Sequence, residues 1–403
     1  MQKIEFGNRR LVGQKNAREQ IERILNSNRA SHSYLFTGPG GVGKTAFTLA
    51  FAEYLNGVNN LTELGSHARS RKKNWLNHPD IHVFIPLPTT VTSNKNKISR
   101  EMSERLSLLA EDPYEVVDFK LRPVLSEESS SKNRQAFYPI DYFHSEIRPT
   151  FSLKPNEGDF TIVIITGIET MKKEAANAFL KLLEEPPEQV IFLLTASGTD
   201  QLLPTIVSRC QHIKLAPLSS DVISDALQRY DGMSKSDADY LARISDGNYA
   251  LTRFYDLKLL QELRTDIIRF LRISYVQDAD EVLTLVQDWH SKLNTENQIA
   301  LCNSLEMILR DIMIYKETND RKLVTNIDQL EVIEKFCESL TEARIPEMIE
   351  QLNSLKSLLY QNIQFKLAFT VLSFRFSLLM RGHDPAITDN ENWKHLPALT
   401  ELS

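Results

Sequence analysis

The chain has 403 residues, too many for one ordinary hydrophobic core, so two or three domains are expected. Its 42% apolar and 25% charged residues are typical of a globular protein, and the net charge of −6 excludes a general affinity for polyanions. The three cysteines lie far apart without a CxxC pair, which argues against a disulfide framework or a zinc ribbon. No signal-like segment opens the sequence, and the most apolar helix, 363–380, is interrupted by Lys366 and Arg375. We therefore expect a cytoplasmic protein.

The first predicted element is an amphipathic helix over residues 16–25, preceded by Val12-Gly13-Gln14. In many proteins such a helix only packs against the core. Because a phosphate-binding pattern follows it in this chain, its position also suits a segment that closes over a nucleotide base.

The strongest signal lies between a predicted buried strand at 33–36 and a predicted helix at 46–55. It fits the pattern GxxxxGK[ST], in which backbone N–H groups surround a phosphate, Lys44 adds positive charge and the Thr45 hydroxyl binds magnesium. A plain glycine turn is the alternative, but the strand, loop and helix context favours nucleotide binding. The predicted nucleotide-binding residues are Gly38, Pro39, Gly40, Gly41, Val42, Gly43, Lys44 and Thr45.

A long insertion, about residues 57–138, then interrupts the α/β pattern. It contains a strand-like piece at 81–85 and a polar tract at 127–134 that we expect to be flexible. It also contains a basic run made of Arg69, Arg71, Lys72 and Lys73. Such a run could touch nucleic acid but is more often a solvated surface loop. The sequence gives no function for this insertion.

The same insertion holds His67, His78 and His82, which raise the question of a metal site. No cysteine accompanies them, and Pro79 breaks any helix that would align His78 with His82. We predict no metal centre from these histidines.

Regular structure resumes at 140–148, followed by an almost entirely apolar run at 160–165 that predicts a strand covered on both faces. A helix over 173–183, ended by Pro186-Pro187, and a third buried strand at 190–194 follow. Strands that alternate with helices predict a parallel, doubly wound sheet with the phosphate loop at its carboxyl edge.

From Ser219 onward no strand is predicted. Two or three short helices are predicted over 219–255, including 222–229 and 235–244, with a turn at Ser245-Asp246-Gly247. Longer helical patterns then cover 257–276, 281–293, 297–315, 329–340 and 346–380. The last third of the chain is predicted to be entirely helical and carries no catalytic constellation.

Two further segments narrow the functional class: residues 176–187, ANAFLKLLEEPP, and residues 202–210, LLPTIVSRC. Together with Val12-Gly13-Gln14 and residues 31–36, they resemble the bacterial clamp-loader branch of the AAA+ ATPases. The resemblance covers 8–56 and 140–215 well, the following helices moderately, and the last third only by pattern, with Leu359-Tyr360-Gln361-Asn362 resembling a last collar helix.

The resemblance implies an α/β P-loop AAA+ module with a parallel sheet, followed by a helical lid and an all-α collar domain. We place the module at 1–215, the lid at 216–256 and the collar, which would serve oligomerisation, at 257–403. In assemblies of this family, an arginine in the Ser208-Arg209-Cys210 position reaches the γ-phosphate held by a neighbouring subunit. Arg209 is therefore implied as an arginine finger in trans, and a structural arginine at a sheet edge is the alternative.

The chain departs from the pattern of the family's motors at three places. Thr166 and Gly167 stand where the second strand would end in an acidic pair, and Glu169 nearby is interpreted as a surface residue. Ala250 stands where a phosphate-sensing arginine is expected, unless Arg253 replaces it through a shifted helix register. The four cysteines of the family's zinc module are absent, so no zinc is predicted.

These features imply a non-motor clamp-loader subunit that binds ATP and Mg²⁺, has weak or no hydrolysis of its own, and donates Arg209 to a neighbour. The implied partners are gamma/tau-type ATPase subunits, a delta subunit, the sliding clamp and, through the complex, primed DNA, but no membrane. An autonomous motor subunit is the first alternative, supported by the intact Lys44 and Thr45. An AAA+ helicase loader is the second, although no pore-loop signature is seen.

Overall fold

The computed structural model describes residues 11–26, 31–58, 75–92, 95–119, 122, 135–324, 330–359 and 363–383. The basic run at 69–73, the polar tract at 127–134, His67 and residues 360–362 of the predicted collar motif lie outside these residues. The chain divides into two compact units, Met1–Arg253 and Phe254–Ser403. The predicted lid helices thus belong to the same unit as the phosphate loop, and the boundary at 215 stays a prediction.

The first unit is built on a parallel five-stranded sheet with the order β2-β3-β4-β1-β5. Its strands are β1 Ser33–Thr37, β2 Ile81–Phe84, β3 Thr161–Ile165, β4 Val190–Ala196 and β5 Gln211–Lys214. Every residue of β1, β3 and β4 is buried, as expected for central strands covered on both faces by helices. The predicted doubly wound parallel sheet is confirmed.

The helices of this unit are α1 Lys15–Asn26, α2 Lys44–Leu55, α3 Thr89–Thr92, α4 Lys95–Glu111, α5 Ile140–Tyr142, α6 Lys173–Glu184, α7 Pro204–Val207, α8 Ser220–Asp231 and α9 Lys235–Ile244. Of these, α1, α2, α6, α8 and α9 agree with predicted helices within a few residues. After α5 the chain continues in π-helical and 3-10 turns, Phe143–Ile147 and Arg148–Ser152, whose aromatic residues pack under the sheet.

Sequence reasoning missed β5 and α4. β5 is an edge strand in which only Ile213 is buried, so it lacks the apolar run that identified the other strands. α4 lies inside the insertion and buries only Ile98, Arg105 and Leu109. Its helical periodicity is hidden because one of its three buried positions is an arginine.

The second unit is helical, as predicted. Its helices are α10 Leu257–Val276, α11 Ala279–Lys292, α12 Thr295–Thr318, α13 Leu330–Ser339, α14 Ile345–Leu359 and α15 Phe365–Met380. An aromatic cluster forms its centre, with Phe270, Trp289 and Phe369 in mutual ring contact.

The single helix predicted over 346–380 was wrong, since two helices occupy this range. Gln364 has extended backbone angles and ends the interruption after α14. The backbone N–H of Arg344, beside the start of α14, donates to the carbonyl of Leu379 near the end of α15. The chain therefore turns back on itself, and each helix buries its apolar face against the other.

Among the described residues, no helix is both long enough and apolar enough to cross a membrane.

Candidate functional site

The phosphate loop joins β1 to α2, and its backbone takes left-handed angles that favour glycine at Gly41 and Gly43. Gly41 has φ 65° and Gly43 has φ 100°, both in the left-handed region. A Cβ at Gly41 would lie 1.5 Å from Oδ1 of Asn248, and one at Gly43 would lie 2.7 Å from the hydroxyl of Tyr114. The loop is therefore closely covered by the side chains of two distant segments.

Lys44 opens α2 and folds back over the loop. Its Nζ donates a hydrogen bond of 2.7 Å to the carbonyl of Gly38 and a second bond to the carbonyl of Pro39. Burial lowers the pKa of Lys44 to about 8, although the negative charge of Glu169 opposes this shift. A phosphate at the loop would add the counter-charge that the partly buried ammonium lacks.

The carboxyl end of β3 carries no acidic pair, in agreement with the sequence. The hydroxyl and the N–H of Thr166 both donate to the carbonyl of Phe84 at the end of β2. The N–H of Gly167 donates to the Thr195 hydroxyl at 3.0 Å. Both positions therefore hold the strand ends together and offer no carboxylate to a metal or a water.

Glu169 is not the surface residue that the sequence suggested. It is half-buried, and its Oε1 accepts hydrogen bonds from the N–H and the hydroxyl of Ser197, at 2.9 and 2.7 Å. Its Oε2 is buried and makes no hydrogen bond within the described residues. The 3-10 turn Ile168–Thr170 brings the side chain across to the end of β4, which the sequence pattern could not reveal.

The residues at the loop suit the phosphate part of a nucleotide. The glycine turn, the Lys44 ammonium and the half-buried Thr45 at the start of α2 supply the groups that the pattern requires. The described residues contain no cluster of three or more histidine, cysteine or acidic side chains for a metal ion. A magnesium ion at this site would accordingly be held through Thr45 and the phosphates themselves.

His78 and His82 take part in structure around β2. The N–H of Asp80 donates to Nδ1 of His78 at 3.1 Å, and burial lowers the pKa of His82. The Asp80 carboxylate accepts three backbone hydrogen bonds of 2.7 Å from residues 156–158, just before β3. The His-Pro-Asp segment thus anchors the amino ends of two strands.

Arg209 lies at the opposite edge of the sheet from the phosphate loop. Its backbone carbonyl accepts a 2.7 Å hydrogen bond from the hydroxyl of Ser33, the first residue of β1. Since β1 and β5 are parallel, both strands begin at this amino edge, whereas the phosphate loop follows the carboxyl end of β1. The five residues of β1 separate the two sites by about 17 Å, at ~3.3 Å per residue.

The guanidinium of Arg209 is held on the surface by two contacts. One nitrogen donates to Oε1 of Glu184 at 2.8 Å and another donates to the carbonyl of Thr205 at 3.1 Å. The Arg209 side chain is 34% exposed and that of Glu184 is 50% exposed, so water competes for this ion pair. Arg209 is therefore ordered and accessible at the same time.

The lid segment after α9 packs directly on the phosphate loop. The N–H of Ala250 donates to the carbonyl of Gly41 at 3.3 Å, beside Asn248. Arg253, the proposed substitute for a phosphate-sensing arginine, instead donates to Oδ2 of Asp112 at 2.7 Å and to the carbonyl of Tyr249. It is thus bound within the protein by the insertion.

Sequence reasoning missed Tyr114, Asp112 and Asn248 entirely. Tyr114 contacts Val12, which lies more than a hundred residues away in the sequence, and Gly43, which lies about seventy residues away. No local sequence pattern encodes contacts of this kind. Gln14, which the sequence did single out, hydrogen-bonds both the carbonyl and the N–H of Ala216, at 2.7 and 3.0 Å. It ties the segment before α1 to the start of the lid.

Comparison with known proteins agrees with the resemblance to clamp-loader subunits found in the sequence. The chain is 24% identical over 342 residues to DNA polymerase III subunit delta' of Bacillus subtilis, which covers 84% of this chain and 88% of that protein. It is 29% identical over 219 residues to DNA polymerase III subunit tau/gamma of Haemophilus influenzae, but these span only 25% of that longer protein and 54% of this chain.

Among solved structures, a gamma subunit-related protein of Thermotoga maritima aligns over 90% of this chain and 99% of its own, with 16% identity and a TM-score of 0.38. The model of the family described as "DNA polymerase III, delta subunit" matches residues 13–219, just over half of the 403 residues. The resemblance to clamp-loader subunits is thereby confirmed, and the chain belongs to the DNA polymerase III delta-subunit family.

Proposed function

We propose that this chain is a delta-prime-type subunit of a bacterial clamp loader, and that it donates Arg209 to the nucleotide bound by a neighbouring ATPase subunit. The position of Arg209 carries this proposal. It is exposed at the amino edge of the sheet, separated from the chain's own phosphate loop by the length of β1, farther than an arginine side chain extends. A phosphate that Arg209 contacts is therefore not the one bound by the chain's own loop, which leaves a nucleotide on a neighbouring subunit as its proposed target.

The chemistry of the side chain agrees with this role. A guanidinium is always charged and presents a planar fork to phosphate oxygens, and an arginine finger raises the rate of phosphoryl transfer on the order of a thousandfold or more. The exposed pair with Glu184 is weak enough to be exchanged for a phosphate.

The chain's own loop, Gly38–Thr45, would bind ATP with Mg²⁺ held through the Thr45 hydroxyl. Hydrolysis would be weak or absent, because Thr166 and Gly167 supply neither a metal-orienting nor a water-activating carboxylate. Nucleotide binding alone is enough to stabilise one arrangement of the lid, since a ligand shifts a conformational equilibrium by its differential affinity.

The proposed partners are gamma/tau-type ATPase subunits, a delta subunit and the sliding clamp. Primed DNA would be contacted through the assembled complex, because the net charge of this chain is −6. The helical second unit, α10 to α15, would serve as the oligomerisation collar.

The test is an Arg209→Ala variant reconstituted with the ATPase and delta subunits. We expect the variant to fold and assemble normally while single-turnover phosphate release at the neighbouring site falls on the order of a thousandfold. Arg100→Ala is a matched control, because Arg100 is also exposed and pairs with a glutamate, Glu104, at 2.8 Å. An unchanged rate with Arg209→Ala would refute the finger.

An autonomous motor is the second candidate, and Glu169 is the observation that favours it. Its charge acts on Lys44 and its Oε2 makes no hydrogen bond within the described residues, so it is the carboxylate best placed to serve as a base. Steady ATP turnover that depends on both Lys44 and Glu169, measured with Glu169→Gln, would establish this alternative and displace the non-motor interpretation.

A further inference from the structure

One segment of the insertion, residues 112–115 after α4, lies against the phosphate loop and the segment before α1. Tyr114 from this segment is 3% exposed, and its hydroxyl oxygen accepts a 2.8 Å hydrogen bond from the backbone N–H of Val12. Burial raises the pKa of Tyr114 well above its ordinary value, so the hydroxyl stays neutral. The side chain is thus fixed in the interior next to the loop.

The Tyr114 side chain also lies directly against the phosphate loop. A Cβ added to Gly43 would lie between 2.7 and 3.1 Å from three atoms of Tyr114, namely Oη, Cε1 and Cζ. On its other side the ring meets the edge of Tyr249 from the lid, with centroids 5.0 Å apart at an angle of 82°. Tyr114 therefore fills the space between the segment before α1, the loop and the lid.

A nucleotide whose base lay under the segment before α1 would have to pass through this space. The loop N–H groups cradle the α- and β-phosphates, while the lysine reaches towards the β- and γ-phosphates, so the nucleoside leaves the loop on the side away from the Lys44 amine. The segment Val12-Gly13-Gln14 is the one that the sequence suits to close over a base, and the N–H of Val12 in this segment already donates to Tyr114. An aromatic ring with a hydrogen-bonded polar tip therefore lies between the phosphate loop and the segment expected to cover the base.

We propose that Tyr114 is a built-in occupant of the nucleoside side of this site and that it sets the affinity of the loop for ATP. This inference rests on the proposed binding of ATP at Gly38–Thr45. When a site is filled by its own side chain in most molecules, its apparent affinity falls in proportion to the fraction in which the site is open.

The occupant is coupled to the lid through its neighbour Asp112. The Asp112 carboxylate pairs with Arg253 at 2.7 Å, and both side chains are about one-sixth exposed. The guanidinium of Arg253 lies over the ring of Tyr249 at 4.5 Å. Movement of Tyr114 out of the site must therefore disturb the contacts that hold residues 249–253, which makes nucleotide binding and lid position interdependent.

The experiment measures Mg-ATP binding by calorimetry on the full chain and on Tyr114→Ala. We expect the variant to bind at least about tenfold more tightly than the wild type, because the nucleoside side is open in every molecule. Lys44→Ala in the Tyr114→Ala background should remove the gained affinity. Tyr230→Ala, which truncates a half-buried tyrosine elsewhere in the same unit, is the matched control and should leave the affinity unchanged.

The outcomes separate this inference from the proposed function. Equal, Lys44-dependent affinity in the wild type and in Tyr114→Ala would overturn the occupant and leave ATP binding standing. Weaker binding by Tyr114→Ala would also overturn it, because Tyr114 would then be a contact for the nucleotide. Absence of binding in both proteins would overturn both ideas.

Tyr114→Phe protects the test against a folding defect of the alanine variant, with thermal unfolding as the check. Phenylalanine keeps the ring against Gly43 and Tyr249 but no longer accepts the hydrogen bond from Val12. We expect a gain in ATP affinity of about two- to tenfold, the range of one hydrogen bond. An affinity identical to that of the wild type would contradict the role of the Val12 contact.

Discussion

The two edges of the parallel sheet are organised in opposite ways. At the carboxyl edge, the phosphate loop is covered by Tyr114 from the insertion and Asn248 from the lid, and its lysine bonds to loop carbonyls. At the amino edge, Arg209 stands partly exposed and is restrained by one exposed ion pair and one backbone contact. One edge is enclosed by the chain itself, and the other is open to a partner.

The difference between the two edges determines what sets the ligand affinity of each site. A ligand at the carboxyl edge competes with side chains that are already buried, so its affinity is set within the subunit. A ligand at the amino edge has only an exposed glutamate and one backbone carbonyl to displace, so its affinity is set by the surface that a neighbour presents. If the two edges are independent, a substitution at one edge should leave the ligand of the other edge unaffected.

The largest effects are expected when one functional residue at each edge is replaced by alanine and both activities are measured. Lys44→Ala should weaken ATP binding by the chain roughly 10- to 100-fold, since it removes a charge-assisted contact to phosphate. It should leave the stimulation of a neighbouring ATPase intact, whereas Arg209→Ala should do the reverse. Calorimetry and single-turnover phosphate release measure the two effects. Loss of both activities in either variant would show that the edges act as one site.

At the amino edge, Asp80 should contribute strongly to the free energy of unfolding, although Arg209 at the same edge is exposed. Asp80→Asn weakens three backbone hydrogen bonds to a buried carboxylate, and we expect the free energy of unfolding to fall by about 1.5–3 kcal/mol. Denaturant titration measures this change, and Asp225→Asn, which changes an exposed aspartate of α8, is the control. A loss below about 0.5 kcal/mol would mean that the carboxylate is not needed there.

The same carboxylate fixes the sign of a pH dependence. Burial alone would raise the pKa of Asp80, but the three backbone donors together lower it by more. Its pKa in the folded protein therefore lies below the ordinary value. The stabilisation is therefore complete above about pH 4 and is lost as the pH falls below that value. The difference in stability between the wild type and Asp80→Asn should shrink over this range.

At the carboxyl edge, ATP binding should depend on the charge of Lys44. Because its pKa is about 8 in the free protein, we expect affinity to fall as the pH rises from 7 to 9, by up to about tenfold. Lys44→Arg should abolish this dependence, because arginine stays charged over the whole range. A flat profile in the wild type would contradict the partly buried position of the amine.

The smallest effect is expected for Glu184, the partner of Arg209. Glu184→Gln removes an exposed ion pair, so turnover at the neighbouring site should change by less than about fivefold. Glu104→Gln, which breaks the comparable pair with Arg100, is the control in the same turnover assay. A change as large as that of Arg209→Ala would make Glu184 essential for positioning the finger.

The sequence predicted the central parts of the first unit because the signals there are local. The apolar runs of β1, β3 and β4 and the complete phosphate-loop pattern each lie within one short segment. The helices α9 and α10 were placed with their observed bounds from their periodicity, and in the structure Ser234 and Asp256 cap their first turns.

The parts that were missed depend on contacts between distant segments. β5 has a single buried residue and is a strand only because β1 lies beside it. The environment of Glu169 depends on Ser197 at the end of another strand. The enclosure of the loop by Tyr114 joins two segments about seventy residues apart, and no periodicity records such a meeting. The candidate residues were identifiable by motif, but their surroundings were not.

The strand order also determines at what stage of folding the two edges of the sheet can form. β1 is flanked by β4 and β5, so Ser33 pairs with Phe192 and Tyr34 with Gln211, and about two thirds of the length of the first unit separates these partners along the chain. Sheets built from such remote pairs fold slowly, because the loop must close before any pairing is gained. During synthesis, β1 emerges early and must wait for β5, the strand that begins directly after the arginine loop. The segment that supports the phosphate loop and the segment that carries Arg209 are therefore completed in one late step of folding.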